Sequence, residues 1–565
     1  MRQLASLFFC LVVTARLFAT QDPAEAPPPA PATPTLDKAD TAWMLISTCL
    51  VMFMIPGLAL FYGGISRRKN LLGTMMHSMI ALSIVGLLWG LIGYSLAFGR
   101  SQGGWIGWSP EWMALSGVKP PDVFANSSIP VYLHCMYQGM FAIITPALIS
   151  GAIAERVRFL PYCIFIAAWS LLVYCPLAHW VWAIDDSGTP VGVFGAMGAL
   201  DFAGGTVVHI AAGVAGLTAA LLLRPRLGYP EQAMHPSSMV LTLVGAGMLW
   251  FGWFGFNGGS GLGVGNGLAG TALTATQLAA SSAGAAWTII EWIHRGKPTA
   301  LGFATGVVAG LVGITPAAAF VSPWAAIVIG LVTAAVCYVT VWLKPRLKYD
   351  DSLDAFGVHG VGGFVGAMLT GVFANALHFG SAIGDPSASL GALGEGGTDR
   401  LAQILVQLKA SLGAIVFSFV ATAVIVKVID MVVGFHLKPE DEQEGLDSAV
   451  HGEVAFDFGI SPEQTALTPV IEPRPATTPP ESSRRFAVVL DGVPTEELLS
   501  AWGQMCQAGD QPPSNDFRNV YPYVTTVSGN RFRFRGGDPE MVSRSLTRLF
   551  EDRFPNRKLI ARVEM

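Results

Sequence analysis

Two histidines stand inside long apolar segments of the chain, and each follows an aspartate among glycines. His209 ends the run Asp201-Phe-Ala-Gly-Gly-Thr-Val-Val-His209, and His359 ends the run Asp354-Ala-Phe-Gly-Val-His359. An ionisable side chain at membrane depth is costly, so its default interpretation is a functional site. In apolar surroundings both imidazoles would be neutral, and one ring could donate an N–H to the other. Such a pair could hold a small neutral molecule or relay a proton.

Aromatic residues and one serine form a second candidate group. Trp182 closes the run Ala-His-Trp-Val-Trp182, Tyr137 and Phe141 share the run Tyr-Gln-Gly-Met-Phe, and Phe256 precedes Ser260 in Phe-Asn-Gly-Gly-Ser. An indole face attracts a cation, and a serine hydroxyl can accept a hydrogen bond from one. The alternative for each aromatic residue alone is an ordinary anchor at the membrane interface.

The aspartates have two compatible roles. Asp201 can cap the N-terminus of the helix that carries His209, and it can draw cations toward an outer mouth without contacting them. Asp354 is expected to cap the helix of His359 in the same way. The alternative for the histidines is two unrelated core residues, each bonded to a backbone carbonyl. The seven cysteines form no CxxC or Cys/His spacing, so we expect no metal site.

The composition indicates a membrane protein that crosses the bilayer several times. Of the 565 residues, 52% are hydrophobic and only 13% are charged, whereas a soluble domain carries about a quarter charged residues. The 64 glycines suit close contact between helices in lipid. The net charge of -5 gives no indication of nucleic-acid binding.

Apolar stretches long enough to cross the hydrocarbon, which takes about 20 residues, recur from Thr41 onward. They predict eleven transmembrane helices in an all-α polytopic fold, near residues 41–64, 73–99, 130–150, 160–183, 202–223, 237–257, 268–293, 301–319, 322–343, 356–378 and 404–434. Eleven divides as five, five and one, and two consecutive five-helix halves must be inverted in the membrane. His209 and His359 then hold equivalent positions near the midplane, where inverted repeats meet.

Basic residues gather after the odd-numbered stretches, as in Arg67-Arg68-Lys69 and Arg224-Pro-Arg226, and are sparse after the even-numbered ones. The positive-inside rule predicts an N-terminus outside and a C-terminus in the cytoplasm. Residues 1–22 resemble a secretory signal peptide, and residues 23–37 form a Pro/Ala-rich segment. Both features agree with that orientation in the cell (inner) membrane.

The chain continues beyond the last apolar stretch. Residues 438–483 make an acidic tail and a Pro-rich linker, and residues 484–565 are typical of a small cytoplasmic domain. Its predicted order, β-α-β-β-α-β, indicates a ferredoxin-like fold. The alternation in Arg531-Phe-Arg-Phe-Arg535 faintly resembles RNA-binding sheets, but it is also what any half-exposed strand shows. With nearly balanced charges, we expect regulation or protein contact and no nucleic acid.

Several of these runs closely resemble the ammonium transporter (Amt/Mep/Rh) family. They are Asp-Phe-Ala-Gly-Gly-Thr-Val-Val-His, Gly-Trp-Phe-Gly-Phe-Asn-x-Gly-Ser, Phe-Gly-Val-His-Gly, Gly-Ala-x-Ala-Glu-Arg, Ile-Pro-Gly-Leu-Ala-Leu-Phe-Tyr-Gly-Gly and Glu-Gly-Leu-Asp-x-x-x-His-Gly-Glu. They occur in the family's order within residues 38 to 455. The resemblance implies a membrane domain over residues 38–437 and a homotrimer in the lipid bilayer with one pore per subunit.

The resemblance also implies roles for the candidate residues. Trp182 and Ser260 would receive ammonium in an outer vestibule supported by Asp201. The pore-lining set would be the stacked gate Phe141 and Phe256 and, below it, His209 and His359. Many members carry Phe where this chain has Tyr137, so affinity or selectivity is expected to differ. PII-type regulatory proteins bind this family's cytoplasmic face, but the turn at 528–530 is too short for residues 484–565 to be one.

A bare cation in an apolar pore costs tens of kcal/mol by idealised solvation arguments, whereas aromatic residues recover only about 2 kcal/mol. We therefore expect ammonium to lose its proton near the gate and ammonia to cross, with or without the proton. Two other functions stay open: an ammonium sensor signalling through the C-terminal domain, and a redox protein with His209 and His359 as haem ligands, which the family motifs disfavour. We expect no enzymatic activity and no cofactor.

Overall fold

The structure is a computed structural model of the chain. It describes residues 35–456 apart from 386 and 394–397, and residues 485–564 apart from 508–519, 521–522, 529, 536–537 and 556. These residues belong to two compact units that divide between residues 457 and 458. The predicted signal peptide, most of the Pro/Ala-rich segment and most of the Pro-rich linker lie outside the described residues.

The first unit is built from eleven main helices. They are α1 Lys38–Ile65, α2 Arg68–Phe98, α3 Val131–Ile153, α4 Phe159–Trp182, α5 Gly205–Leu222, α6 Met239–Gly261, α7 Leu268–Arg295, α8 Ala300–Ile314, α9 Pro323–Leu347, α10 Phe356–Phe373 and α11 Arg400–Val433. Shorter elements join them: a two-stranded ribbon at 101–102 and 106–107 and short helices at Pro110–Leu115, Ala376–Ile383 and Pro439–Glu444.

Nine of these helices are long and apolar enough to cross a membrane by themselves. The other two are α7, which has 28 residues but is not among those nine, and α8, which is apolar but has only 15 residues. Every predicted stretch therefore falls on a helix in the described part of the chain, and the fold is that of a mostly helical, polytopic membrane protein.

The helices of the two predicted halves pack against one another in corresponding pairs. The first helices of the two halves, α1 and α6, lie along each other. The last helices of the two halves, α5 and α10, are also in contact. Buried aliphatic and aromatic side chains from both halves form one continuous core. This arrangement brings the chain near residue 209 next to the chain near residue 359.

Charged residues in the connections that follow α3, α5 and α9 form a buried cluster. Arg156 donates to the Asp350 carboxylate at 2.8 Å, and Arg226 contacts both Asp350 (2.8 Å) and Glu155 (3.2 Å). Burial by itself would raise the pKa of Asp350, but Arg156 and Arg226 more than offset it and hold that pKa below its usual value. Because these residues come from three separate connections, the cluster ties those connections together.

The second unit is an antiparallel sheet with two helices. Its strands are β1 Arg485–Asp491, β2 Val524–Ser528, β3 Arg531–Arg535 and β4 Ile560–Glu564, and its helices are α12 Thr495–Gln507 and α13 Pro539–Glu551. The strands lie in the order β2-β3-β1-β4. In the register, Phe486 lies opposite Phe534, and Val488 opposite Phe532.

The alternating strand β3 turns its aromatic side chains into the core of this unit. Phe532 and Phe534 are buried with Val542, Leu546 and Phe550 of the helix side. Arg531 and Arg533 are exposed on the other face of the sheet, where Arg531 pairs with Glu564. The alternation therefore reflects a half-exposed strand, and β3 offers no exposed aromatic ring for base stacking.

Candidate functional site

The two histidines from the apolar segments meet at the centre of the first unit. Nδ1 of His359 lies 3.3 Å from Nδ1 of His209, and the rings are nearly parallel, with centroids 5.3 Å apart. Both side chains are buried, at 1% and 4% exposure. At this distance one Nδ1 donates its proton to the other, so the pair is a hydrogen-bonded unit.

Each histidine lies in a π-helical first turn of its helix. The turn in α5 covers Gly205–Ile210, and the turn in α10 covers Phe356–Gly360. Such turns widen the helix locally and recur at functional sites. They turn both imidazoles toward the contact between the two helices.

Small residues allow that contact to be close. A Cβ atom added at Gly213 would collide with the backbone of Gly360, and one at Gly363 would lie 2.9 Å from the carbonyl oxygen of Gly205. Without these glycines the helix axes would separate and the two imidazoles would lose their hydrogen bond. The glycines around the histidines therefore set the distance between the rings.

A buried carboxylate caps each of these helices eight residues before its histidine. Asp201 accepts the backbone N–H groups of 204, 205, 206 and 207 at 2.6–3.1 Å. Burial raises the pKa of Asp201, while those four donors oppose the shift. In α10 the cap is Asp351, which accepts from Ala355 and Phe356 at 3.0 and 2.8 Å.

The prediction that Asp354 caps α10 was therefore wrong. Asp354 has a left-handed backbone with φ of 61° and forms an ion pair with Nζ of Lys344 at 2.5 Å. The helix N–H groups point toward Asp351 instead, because the chain makes one more turn before the helix begins. The spacing of eight residues from Asp201 to His209 was the sequence signal for Asp351, whereas Asp354 precedes His359 by only five.

Two stacked phenylalanines lie next to the histidine pair. The rings of Phe141 and Phe256 have centroids 4.1 Å apart and are inclined by 27°. Phe256 is 6.1 Å from the ring of His209. Trp253, which the sequence reasoning did not single out, stacks on His209 at 5.4 Å and donates from Nε1 to Thr315. Its signal was present in the run Gly-Trp-Phe-Gly-Phe.

The remaining candidates lie on the other side of the phenylalanine pair. Trp182 meets Phe141 edge to face at 6.2 Å and donates from Nε1 to the carbonyl oxygen of Asp201 at 2.8 Å. The hydroxyl of Tyr137 lies 2.8 Å from the carbonyl oxygen of Phe256 and 3.2 Å from Oγ of Ser260. All eight residues predicted from the sequence are thus connected through one chain of contacts.

The space beside the histidines is narrow and apolar. A cavity of about 10 Å³ is lined by both histidines, Trp253 and Phe256 together with aliphatic residues, among them Leu58, Ile144 and Val308. That volume is close to the minimum for one water molecule. Below it, a second cavity of about 30 Å³ is lined by His359, Tyr62 and Asp354.

The geometry of the pair does not match that of two axial haem ligands. An imidazole nitrogen binds a metal at about 2.0–2.1 Å, so two axial ligands would have their nitrogens about 4 Å apart on opposite sides of the ring. The facing nitrogens are 3.3 Å apart and hydrogen-bonded. Within the described residues there is also no group of three or more His, Cys, Asp or Glu side chains able to hold a metal ion.

A helical membrane protein with a narrow apolar cavity, a stacked aromatic pair beside it and paired histidines lining it has the layout of a conduit for a small solute. Comparison with known proteins agrees with this class: the sequence matches the Ammonium Transporter Family over residues 42–456. The chain belongs to that family.

The match extends over most of the length of each relative. The ammonium transporter of Aquifex aeolicus is 44% identical over 430 residues, which is 75% of this chain and 94% of the relative. Among solved structures, Saccharomyces cerevisiae Mep2 is similar with a TM-score of 0.65 and 35% identity, covering 72% of this chain and 89% of Mep2. A protein described as a sensor Amt protein has a TM-score of 0.66 at 28% identity, covering 73% and 98%.

Proposed function

We propose that this protein transports ammonium or ammonia across a cell membrane, as the names of its relatives state for them. The observation that carries the proposal is the hydrogen-bonded pair of His209 and His359 in an apolar cavity directly beside the stacked rings of Phe141 and Phe256. A neutral molecule with N–H groups and a lone pair fits such a passage, whereas a hydrated ion does not.

Recruitment would take place outside the phenylalanine pair. The indole face of Trp182 attracts a cation, and Ser260 donates its proton to the carbonyl oxygen of Phe256 at 2.8 Å, so its lone pairs stay available. Asp201 is fully engaged in capping α5. Asp201 therefore acts on the cation through the electric field of its carboxylate. It also holds Trp182 in place, because the indole N–H of Trp182 donates to the backbone carbonyl oxygen of Asp201.

The stacked pair of Phe141 and Phe256 determines which chemical species can pass. Full desolvation of a cation costs tens of kcal/mol in the idealised limit, which the cation–π contribution of about 2 kcal/mol does not offset. Ammonium avoids this cost because it can release a proton and continue as ammonia. Potassium ions have no proton to release and are excluded.

The histidine pair supplies polar contacts along an otherwise aliphatic wall. Ammonia can donate to or accept from an imidazole nitrogen, and a proton can pass from one ring to the other across their hydrogen bond. Trp253 holds the ring of His209 by stacking. The pair thus offers a track for ammonia and for the released proton.

The experiment that tests this proposal removes both imidazoles. Proteoliposomes containing wild type or the His209→Leu/His359→Leu variant are given an ammonium pulse while current and internal pH are recorded. We expect the variant to lose selective ammonium conduction, by loss of flux or by admission of potassium ions. Unchanged ammonium-selective conduction in a correctly folded variant would contradict the pore role of the pair.

A sensor function is the second candidate, favoured by two observations. One solved relative is described as a sensor Amt protein, and the second unit lies outside the family match, which ends at residue 456. Such a sensor would bind ammonium at the same site but carry little flux. The same recordings separate the two functions, because a sensor gives neither current nor a change of internal pH.

The assembly and orientation belong to the same proposal. We infer a homotrimer in the inner membrane, with eleven spans in two inverted halves, the N-terminus outside after removal of a signal peptide, and the C-terminus in the cytoplasm. The strand order β2-β3-β1-β4 supports a ferredoxin-like fold for residues 484–565. We propose that this domain regulates transport, and that a PII-type protein can bind the inner face.

A further inference from the structure

The inner cavity holds a carboxylate that the fold does not need for capping. Asp354 lines the same cavity as His359, and the volume of about 30 Å³ accommodates about two water molecules. The rest of the lining is largely apolar and includes Phe61, Leu353 and Val358. Asp354 is thus the first carboxylate that a solute meets after passing His359.

The position of Asp354 is fixed by its surroundings. Its φ of 61° lies in the left-handed region, where a side chain is strained and Asp and Asn are the best tolerated types. Nζ of Lys344 holds the carboxylate at 2.5 Å and also donates to the carbonyl oxygen of Asp351 at 2.8 Å. A residue with a strained backbone that caps no helix and lines a cavity with its carboxylate is typical of a functional site.

The side chain of Asp354 connects two environments. It is 28% exposed, whereas its partner Lys344 is 12% exposed and His359 is buried. Asp351, only three residues away, is buried and committed to the helix cap. Asp354 therefore can exchange protons with inner water and with the cavity, which Asp351 cannot.

We propose that Asp354 is the inner proton-transfer group of the pore. The proposal rests on the transport function given above. The proton released at the phenylalanine pair first crosses the histidine pair and makes His359 an imidazolium. A ring N–H bond of that imidazolium then breaks, directly or through one water, and an O–H bond forms on the Asp354 carboxylate. That O–H bond then breaks as its proton forms the fourth N–H bond of an arriving ammonia. Ammonium leaves, the carboxylate and the neutral imidazole are restored, and one positive charge has crossed.

The chemistry of the neighbours suits this cycle. Ammonia is a far stronger base than a carboxylate, so transfer from Asp354 to ammonia is downhill. The ion pair with Lys344 keeps the Asp354 carboxylate in place between transfers. The titratable groups that face Asp354 are Lys344, Asp351, His359, Tyr62, Tyr229 and Tyr349.

The test separates charge movement from ammonia movement. Asp354→Asn keeps the shape and suits the left-handed backbone, but it cannot carry a proton. In proteoliposomes given an ammonium pulse we expect its current to fall at least tenfold. Ammonia should still enter, and because it then takes a proton from internal water, the lumen should become more alkaline than with wild type. Asp385→Asn, on an exposed loop remote from the pore, is the matched control.

The outcomes are distinct from failure of the transport proposal itself. Equal currents in wild type and Asp354→Asn, or loss of both current and ammonia entry in a folded variant, would overturn the role of Asp354. Wild type that admits ammonia without any current would also overturn it, while leaving ammonia conduction intact. Wild type with neither current nor ammonia entry would refute transport.

Discussion

At the scale of single residues, the hydroxyl of Tyr137 is the most specific feature of the site around Ser260. It is fully buried and lies 2.9 and 2.8 Å from the carbonyl oxygens of Gly255 and Phe256, and 3.2 Å from Oγ of Ser260. A phenylalanine at this position could make none of these contacts. The hydroxyl therefore fixes both the end of α6 that carries Phe256 and the side chain of Ser260.

Tyr137→Phe should weaken recruitment without closing the pore. Loss of one net hydrogen bond is worth about 0.5–1.5 kcal/mol, so the half-saturating ammonium concentration should rise about two- to tenfold. The concentration dependence of the ammonium-evoked current measures it. Tyr132→Phe is the control, since its hydroxyl bonds only the carbonyl oxygen of Val118. Unaltered half-saturation with a reduced maximal current would show that the hydroxyl acts on the gate instead.

At the scale of elements, the histidine pair depends on how α5 and α10 begin. Each starts with a π-helical turn, and each N-terminus is held by a buried aspartate eight residues before the histidine. The α5 cap satisfies four backbone N–H groups and the α10 cap satisfies two. The carboxylates therefore position the imidazoles through the helices that carry them.

Asp201→Asn should destabilise the protein measurably. An amide has one acceptor oxygen, so about half of the N–H groups lose their partner, and each unsatisfied buried donor costs roughly 1–3 kcal/mol. We expect thermal unfolding in detergent at a clearly lower temperature than wild type, whereas Glu231→Gln, on an exposed inner loop, should unfold with wild type. A variant Asp201→Asn that unfolds at the wild-type temperature would mean that the cap contributes little.

Much of this arrangement could be predicted from the sequence, because its signals are local. Apolar length gave the helices, and the order of strands and helices in residues 485–564 followed from alternation and turns. The membership in the ammonium transporter family, predicted from a handful of motifs, is confirmed by the match over residues 42–456. The grouping of Trp182, Ser260 and the two histidines followed from that resemblance.

The remaining features depend on contacts between distant parts of the chain. The choice of Asp351 over Asp354 as the cap depends on where the backbone turns left-handed, and in the sequence only the eight-residue spacing shared with Asp201 and His209 indicates it. Trp253 stacks on the ring of His209, which lies 44 positions earlier in the chain. The two rings meet only because α5 and α6 pack together. The inner pairing of Lys344 with Asp354 likewise requires α9 to end beside the start of α10.

At the scale of the whole molecule, the acidic tail belongs to the first unit even though it follows the last long helix. Glu442 is buried, pairs with Arg224 at 2.6 Å and accepts the N–H of Leu227. Asp447 accepts the N–H of Gly73 at 2.8 Å, and Leu446, with no exposed surface, packs against the same glycine. The tail thus fastens the start of α2 to the loop after α5.

Two truncations should therefore behave differently. Removal of residues 461–565 leaves every one of these tail contacts, and the second unit has a hydrophobic core of its own. We expect this variant to unfold at the wild-type temperature and to conduct, with altered regulation of the current. Removal of residues 438–565 also takes away Leu446, whose burial is worth about 1.5–3 kcal/mol, and Glu442, the carboxylate that pairs with Arg224.

The longer truncation should consequently unfold several degrees lower in detergent and lose much of its ammonium current, because α2 and the loop after α5 are no longer held together. Current per inserted protein and the unfolding temperature measure both effects on the same samples. If the two truncations were equally stable and equally active, the tail contacts would be incidental to the pore. If removal of 461–565 alone abolished folding, the second unit would be a structural part of the transporter.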